Sequence, residues 1–222
     1  MYVELLAATT GAWLLKRWAE RETDGDMANW SDLLGEFAGR GCYRAFERKN
    51  PATATNKTYL NHIIEAGHHS VLEHASATFS VTGVSRHLLG ELTRHRHLSY
   101  SVESLRYCPP RRAALHPGVA EDSYLVELMS EHWEVSVETY NHVYERLLGK
   151  GLAKKQAREI AAQWLPLSTA TDLVVSGNLR AWRDVLLKRN DPAANREIRL
   201  LARLILAELR LFAPNSFQDM EA

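Results

Sequence analysis

The sequence predicts an α+β fold: one central mixed or antiparallel sheet flanked by helices. Three observations lead there. Apolar residues recur at helical spacing along much of the chain, most plainly over residues 192–212, where Ile198, Leu201, Ile205, Leu209 and Phe212 form one stripe. Residues 75–82 alternate instead, with Ala75, Ala77, Phe79 and Val81 on one side and Ser76, Thr78, Ser80 and Thr82 on the other, the period of a strand with one wet or functional face. Residues 171–176 form another short strand-like run, after which Gly177 is expected to turn the chain. No repeat, low-complexity segment or Pro/Gly/Ser-rich linker interrupts the chain, so residues 1–222 are expected to form a single domain.

The elements follow in order. Residues 1–15 are apolar in flavour, and the polar stretch 22–26 reads as a loop. Residues 53–66 carry Tyr59, Leu60, Ile63 and Ile64 and then Gly67, a helix with a glycine stop. Residues 84–93 read as a helix running straight into Arg94. Pro109, Pro110, Pro117 and Gly118 punctuate a loop, which either orders over a substrate or serves as an exposed connection. Long helices are expected over 123–148 and 153–165, the second stopped by Pro166, and a shorter one over 179–188.

Composition bounds the function. The 27 Lys+Arg balance the 27 Asp+Glu, which argues against a general nucleic-acid-coating protein while leaving room for an anion held by a local arginine cluster. Cys42 and Cys108 form no CxxC pair, so a reducing cytoplasmic compartment is the default. Glu4 stands where a signal peptide wants Lys or Arg, and no uncharged apolar run reaches the ~20 residues of a bilayer span. The chain is therefore read as soluble and unprocessed, with no membrane or nucleic-acid partner.

Neither GxGxxG nor GxxxxGK[ST] occurs, so phosphates would have to be met by side chains, and arginine, with its planar fork, suits that task. The densest polar constellation is RHRHLSYSVESLRY, residues 94–107, with three Arg, two His, three Ser and one Glu in fourteen residues. A solvated charged face is the plain alternative, but such faces interleave Lys with Glu and this run has no Lys. Upstream, His68, His69, Glu73 and His74 invite a metal hydrolase, yet HExxH is absent and the inverted HxxEH would need His where Ser70 stands, so no metal is expected. Downstream, Ser176-Gly177-Asn178-Leu179-Arg180 leads Asn and Arg into a helix start, where free N–H groups favour anions, or simply caps an ordinary helix.

These residues resemble one family. RHR followed by seven residues and Ser is the signature of flavin-dependent thymidylate synthases, and NPATATNKTYLNHIIEAGHHSVLEHASATF and VVSGNLRAWR also look like its actinobacterial members, over about residues 37–217 and in the right order. The resemblance implies a homotetramer with active sites between subunits. Each site would bind FAD, a uridine nucleotide (dUMP or UMP) and 5,10-methylene-tetrahydrofolate, with NADPH reducing the flavin. A one-carbon unit goes to carbon 5 of the pyrimidine, and the flavin supplies the hydride. No enzyme cysteine attacks carbon 6, so Cys108 is a bystander thiol.

By the same resemblance, Arg94, His95 and Arg96 hold the flavin, together with His68, Ser70, Glu73, Asn178 and Arg180. Ser104 and Arg106 match the nucleotide-phosphate loop, Arg86 another phosphate arginine, and Tyr43 and Glu91 nucleotide-side positions. Arg189 matches the arginine that reads the uracil carbonyls, and it and Ser104 carry the catalytic assignment. The departures fall on the nucleotide side: Val102 for an acidic or amide residue, Ala162 for a phosphate arginine, Asp172 for an arginine and Ala193 for a histidine. Arg158, one turn before Ala162, is expected to reach in its place. Relatives that methylate UMP in nucleoside-antibiotic pathways such as polyoxin formation resemble this chain; the arginine lost at Ala162 makes a catalytically impaired FAD- and nucleotide-binding homologue the alternative.

Overall fold

A computed structural model describes residues 1–22, 29–47 and 50–221. Its centre is a four-stranded sheet in the order β1-β2-β4-β3, built from β1 (Tyr2–Ala8), β2 (Ser76–Ser85), β3 (Ser99–Val102) and β4 (Ala170–Asn178). Every pairing is antiparallel, as Phe79 opposite Leu5 and Val175, and Tyr100 opposite Val175, illustrate. Around it lie α1 (Trp13–Glu22), α2 (Trp30–Cys42), α3 (Asn56–Glu65), α4 (Arg86–Leu92), α5 (Pro117–Ala120), α6 (Ser123–Gly149), α7 (Lys154–Ala161), α8 (Leu179–Arg189) and α9 (Arg196–Phe212). The α+β reading holds, and the sheet is antiparallel rather than mixed.

The alternation in β2 does what its period requires. Ala77, Phe79 and Val81 are buried with Leu173 and Val175 of β4 on the face that meets α4, α8 and α9. Trp182 of α8 crosses Phe79 edge-on at 5.2 Å and donates from its indole N–H to the Ala77 carbonyl at 3.2 Å. Burying a side chain of this kind contributes roughly 1.5–3 kcal/mol, so this pair is a main anchor between α8 and the sheet. The α9 stripe buries Ile198, Leu201, Ile205 and Leu209 against the same core. The opposite sheet face stays polar: Thr78 and Ser176 hydrogen-bond across it at 2.8 Å, and Val174 is exposed.

Several boundaries differ from expectation for identifiable reasons. The strand β2 continues through Val84 and Ser85, which the helix pattern had claimed for the next element. Gly83 at φ 71° accommodates a register shift between Val81 and Val84, and Ser85 then caps α4 by accepting from Leu88 N–H at 3.0 Å. The buried Glu197 carboxylate accepts from the Ser85 N–H and hydroxyl, tying α9 to this corner. The helix expected from Thr53 begins at Asn56, because Pro51–Thr53 is a separate 3-10 turn and Thr55 forms a capping box with Thr58. Gly67, at φ 70°, ends the turn after α3 as expected. Likewise Asn195 caps α9, so the helix expected from 192 starts at Arg196.

Gly177 does not turn the chain. It stays in β4 opposite Ala77, and a Cβ there would lie 2.3 Å from a Leu98 methyl and 3.4 Å from the Trp182 indole nitrogen. Glycine is required for close approach, so α8 starts only after Asn178. The expected loop at 22–26 falls, beyond Glu22, outside the described residues. Residues 109–118 are fastened to the body: Ala113 bridges Thr169, Ala114 N–H donates to Ser168, and Arg111 pairs with Asp172 at 2.6 Å and Glu103 at 2.8 Å. The last part of that segment opens the short helix α5. Among the described residues, no helix is long and apolar enough to cross a membrane.

Candidate functional site

The Arg94–Arg96 motif occupies the turn between α4 and β3. Two features hold this turn. His95 and Arg94 N–H groups donate back to Leu92 and Glu91, continuing the helix end, and the Tyr100 hydroxyl donates to the Leu92 carbonyl at 2.7 Å while lying 3.1 Å from that of His95. Burial lifts the Tyr100 phenol to about 12, so it remains a donor. The outcome is a turn that buries His95 and exposes Arg94, Arg96 and His97.

Arg189, at the end of α8, closes on the turn. Its Nε donates to His95 Nε2 at 2.9 Å, one terminal nitrogen to the Glu91 carboxylate at 3.1 Å, and the other to the Glu91 carbonyl at 3.1 Å. Three of its five N–H bonds are thus committed, and two remain for a ligand. The other ring nitrogen of His95 lies 3.7 Å from Asp184. Burial first, then the Arg189 charge, lowers the His95 pKa, with Asp184 opposing.

A cavity of about 670 Å³ opens here, lined among others by Arg94, His95, Arg96, His97, Lys188 and Arg189. A second, of about 450 Å³, shares His97, Asp184 and Lys188 with it and adds Glu73, Asn178 and Arg180. A third, of about 350 Å³, shares Arg180 and is walled by Tyr43, Tyr59, His68 and Ser70. The three adjoin along α8 as one elongated groove. Seven of the eight residues matched to the flavin line it beside Arg94, and all eight belong to it.

Local roles inside the groove are specific. Asn178 caps α8, its Oδ1 accepting from Ala181 N–H at 2.8 Å, so the capping alternative is realised while its amide nitrogen remains available. Arg180 is ion-paired with Glu73. Asp184 and Lys188 escaped the sequence reading, although Arg180, Asp184 and Lys188 recur every four residues on one helix face, a spacing that would have revealed them. His68, His69, Glu73 and His74 assemble no ligand set: among the described residues, no group of three His, Cys, Asp or Glu could hold a metal ion.

A separate cavity of about 430 Å³ is lined by Arg86, Val102, Glu103, Ser104, Arg106, Glu159 and Ala162, with two leucines. Ser104 begins a tight turn: its carbonyl accepts from Tyr107 and Cys108, and its hydroxyl from Arg106 N–H at 3.4 Å. Arg86 donates to the Glu103 carbonyl at 3.0 Å, but its Nε is buried without a partner among the described residues. Burial lowers its pKa, with Glu103 opposing, yet a guanidinium stays charged. The guanidinium is thus half-buried with one buried donor unused.

The residues matched to the nucleotide are not all brought to one place. Arg86, Ser104 and Arg106 line this last cavity, Glu91 and Arg189 meet at the motif turn, and Tyr43 stands by His68. Arg158 is not among the lining residues beside Ala162; it donates to the Tyr107 carbonyl at 2.7 Å. Glu159 is there instead, paired with Arg106 at 2.8 Å.

The sequence matches the family described as thymidylate synthase complementing protein over residues 26–215. It is 50% identical over 199 residues to a probable flavin-dependent thymidylate synthase of Mycobacterium phage L5, covering 86% of this chain and 81% of that one. A protein of the same description from Mycobacterium phage D29 is 43% identical over 231 residues, covering 99% and 96%. The flavin-dependent thymidylate synthase of Mycobacterium tuberculosis (strain ATCC 25618 / H37Rv) is 44% identical over 203 residues, covering 87% and 81%.

Proposed function

The chain belongs to the flavin-dependent thymidylate synthase family, an enzyme of the thymidylate-synthase type, and from that premise we propose that it transfers a one-carbon unit to carbon 5 of a uridine monophosphate. The relatives' names favour dUMP over UMP as acceptor. Methylene-tetrahydrofolate is the one-carbon donor and NADPH the external reductant. In this reading the chain acts as a homotetramer in the cytoplasm, a compartment in keeping with two free cysteines.

The observation that carries this reading is the groove along α8, whose donors suit an elongated dianionic dinucleotide without a glycine cradle. Arg94, Arg96, Lys188 and Arg180 supply cations over its length, His97 adds ring nitrogens, and Tyr59 supplies a flat surface at the far end. These residues would hold FAD, which when bound supplies the hydride. With FAD bound, Arg94 and Arg96 would stabilise negative charge that develops on its ring system. The two unused N–H bonds of Arg189 donate to uracil carbonyls, while neutral His95 and Glu91 fix that fork.

Arg86, Ser104 and Arg106 hold the nucleotide phosphate, and the unpartnered Arg86 Nε supports this placement. Arg158 acts one step back, bracing the turn through the Tyr107 carbonyl. A complete site assembled between subunits, as the family resemblance implies, would bring these separate cavities together. The exposed Tyr124, Leu128 and Val135 on one face of α6 are apolar surface suited to such an assembly.

Initial rates with dUMP and UMP, each with FAD, NADPH and methylene-tetrahydrofolate, test the proposal. Carbon-5 methylation of dUMP is expected. Release of no carbon-5 tritium from either labelled nucleotide, with FAD bound, would mark an impaired homologue instead.

A further inference from the structure

The phosphate cavity contains a carboxylate that its assigned task does not need. Glu159 and Ala162 are both on its lining, one turn apart at the end of α7 and in the 3-10 turn that follows. Glu159 Oε2 lies 2.8 Å from an Arg106 terminal nitrogen, and no other ion pair involves Arg106 among the described residues. The other acid nearby, Glu103, turns its carboxylate to Arg111 at 2.8 Å and offers Arg86 only its backbone carbonyl. Lys155, on the same helix, sits over the Tyr107 ring at 4.9 Å. So Arg86 keeps an unused donor, Arg106 is engaged by an internal anion, and the Ala162 position adds no charge.

We propose that Glu159 is a specificity-determining residue: its carboxylate competes with the substrate's phosphate for Arg106, and so sets how strongly the 5′ charge counts in nucleotide recognition. The inference rests on the placement of the phosphate at Arg86, Ser104 and Arg106. Both partners of the pair are about half exposed, Arg106 at 51% and Glu159 at 54%. Such a pair is weak enough for a dianion to displace, and the released carboxylate still lies beside the bound phosphate, where like charges repel. The cavity lining carries two arginines and two glutamates; the Glu103 carboxylate is paired with Arg111, so Glu159 is the acid set directly against an arginine assigned to the phosphate. Discrimination between a nucleotide and its uncharged nucleoside is thereby smaller than the arginines alone would give.

The test uses the full chain loaded with FAD and measures the dissociation constants of dUMP and deoxyuridine. For Glu159→Gln, which keeps the side chain's shape, dUMP affinity is expected to rise about threefold or more. Deoxyuridine affinity should stay unchanged, so that their ratio widens. Glu159→Asp should behave as the parent or fall between the two. Arg106→Ala is the control for the underlying placement and should weaken dUMP at least tenfold while sparing deoxyuridine. If Arg106→Ala weakens dUMP and Glu159→Gln leaves the ratio unchanged, the competition is absent and the inference is wrong. If Arg106→Ala itself leaves dUMP affinity unchanged, the phosphate lies elsewhere and the placement falls first. Retention of FAD by every variant shows that each is folded.

Discussion

Arg189 Nε donates to His95 Nε2 at 2.9 Å, and this bond fixes the protonation of the motif's central histidine. A guanidinium has only donors, so Nε2 must carry a lone pair and His95 is neutral, its proton on Nδ1 toward Asp184. Burial and the Arg189 charge both lower the pKa from the ordinary 6.5. A lowered value means that folding favours the neutral form. This contribution is therefore complete above pH 6.5 and is lost as pH falls through the folded-state value. An NMR titration of the His95 ring should give a midpoint below 6.5; a midpoint at or above it would contradict the bond.

Arg189→Ala removes the fork assigned to the uracil and leaves Glu91 and His95 without their shared donor. A hydrogen bond to a charged group contributes roughly 1.5–3 kcal/mol, so nucleotide affinity should fall by about tenfold or more. Isothermal titration with dUMP measures it. Unchanged affinity would mean that the pyrimidine is not read at the end of α8.

Gly177→Ala tests how the strand core supports the motif turn. The new Cβ would meet the Leu98 methyl at 2.3 Å, and Leu98 follows the Arg94–Arg96 turn closely, with its N–H bonded to His95. Overpacking of this kind costs about 1–3 kcal/mol, or a fall in Tm of roughly 2–10 °C for a chain of this size. Calorimetry should record that fall together with weaker flavin retention. A variant as stable as the parent and equally able to hold flavin would show that Leu98 moves aside freely.

Asp172→Asn probes the segment after Pro110. Burial pushes the Asp172 carboxyl up, but the Arg111 hydrogen bond, the Gly83 N–H and the charges of Arg111 and Arg112 outweigh it and hold the pKa below the usual 3.8. The stability this gives is present above pH 3.8 and is lost as pH falls through the lowered value. The pair is substantially exposed, so its removal should cost less than about 1 kcal/mol overall. Faster amide exchange at Ala114 and Ala170, whose N–H groups stitch the segment down, is the expected readout. Unaltered exchange there would show that backbone pairing alone holds the segment.

Much of the framework was legible in the sequence because its cues are local. The alternation at 75–82, the stripe from Ile198 to Leu209 and the stop at Gly67 each follow from one element's period or backbone need. What escaped depends on distant partners. The strand β1 is broken by a register shift between Leu5 and Ala7, which blurs its alternation. The strand β3 lies inside the polar motif, where only Tyr100 and Val102 turn toward the core. The role of Gly177 depends on Leu98, and that of Ser85 on Glu197, neither a neighbour in sequence. The site residues were found through their resemblance to a family. The His95–Arg189 bond and the Glu159–Arg106 pair join separate segments that no local pattern links.

The central claim is that arginine and histidine side chains along α8, rather than a glycine cradle or a thiolate, hold a flavin where it serves a uridine nucleotide. Mass analysis of the nucleotide recovered after incubation of dUMP with the protein, FAD, NADPH and methylene-tetrahydrofolate tests it most directly, with Arg94→Ala and Cys108→Ala run alongside. The account predicts carbon-5-methylated product from the parent and from Cys108→Ala, and a large loss of product with weakened FAD binding in Arg94→Ala. Product from Arg94→Ala at the parent's rate, or its disappearance in Cys108→Ala with FAD still bound, would contradict it.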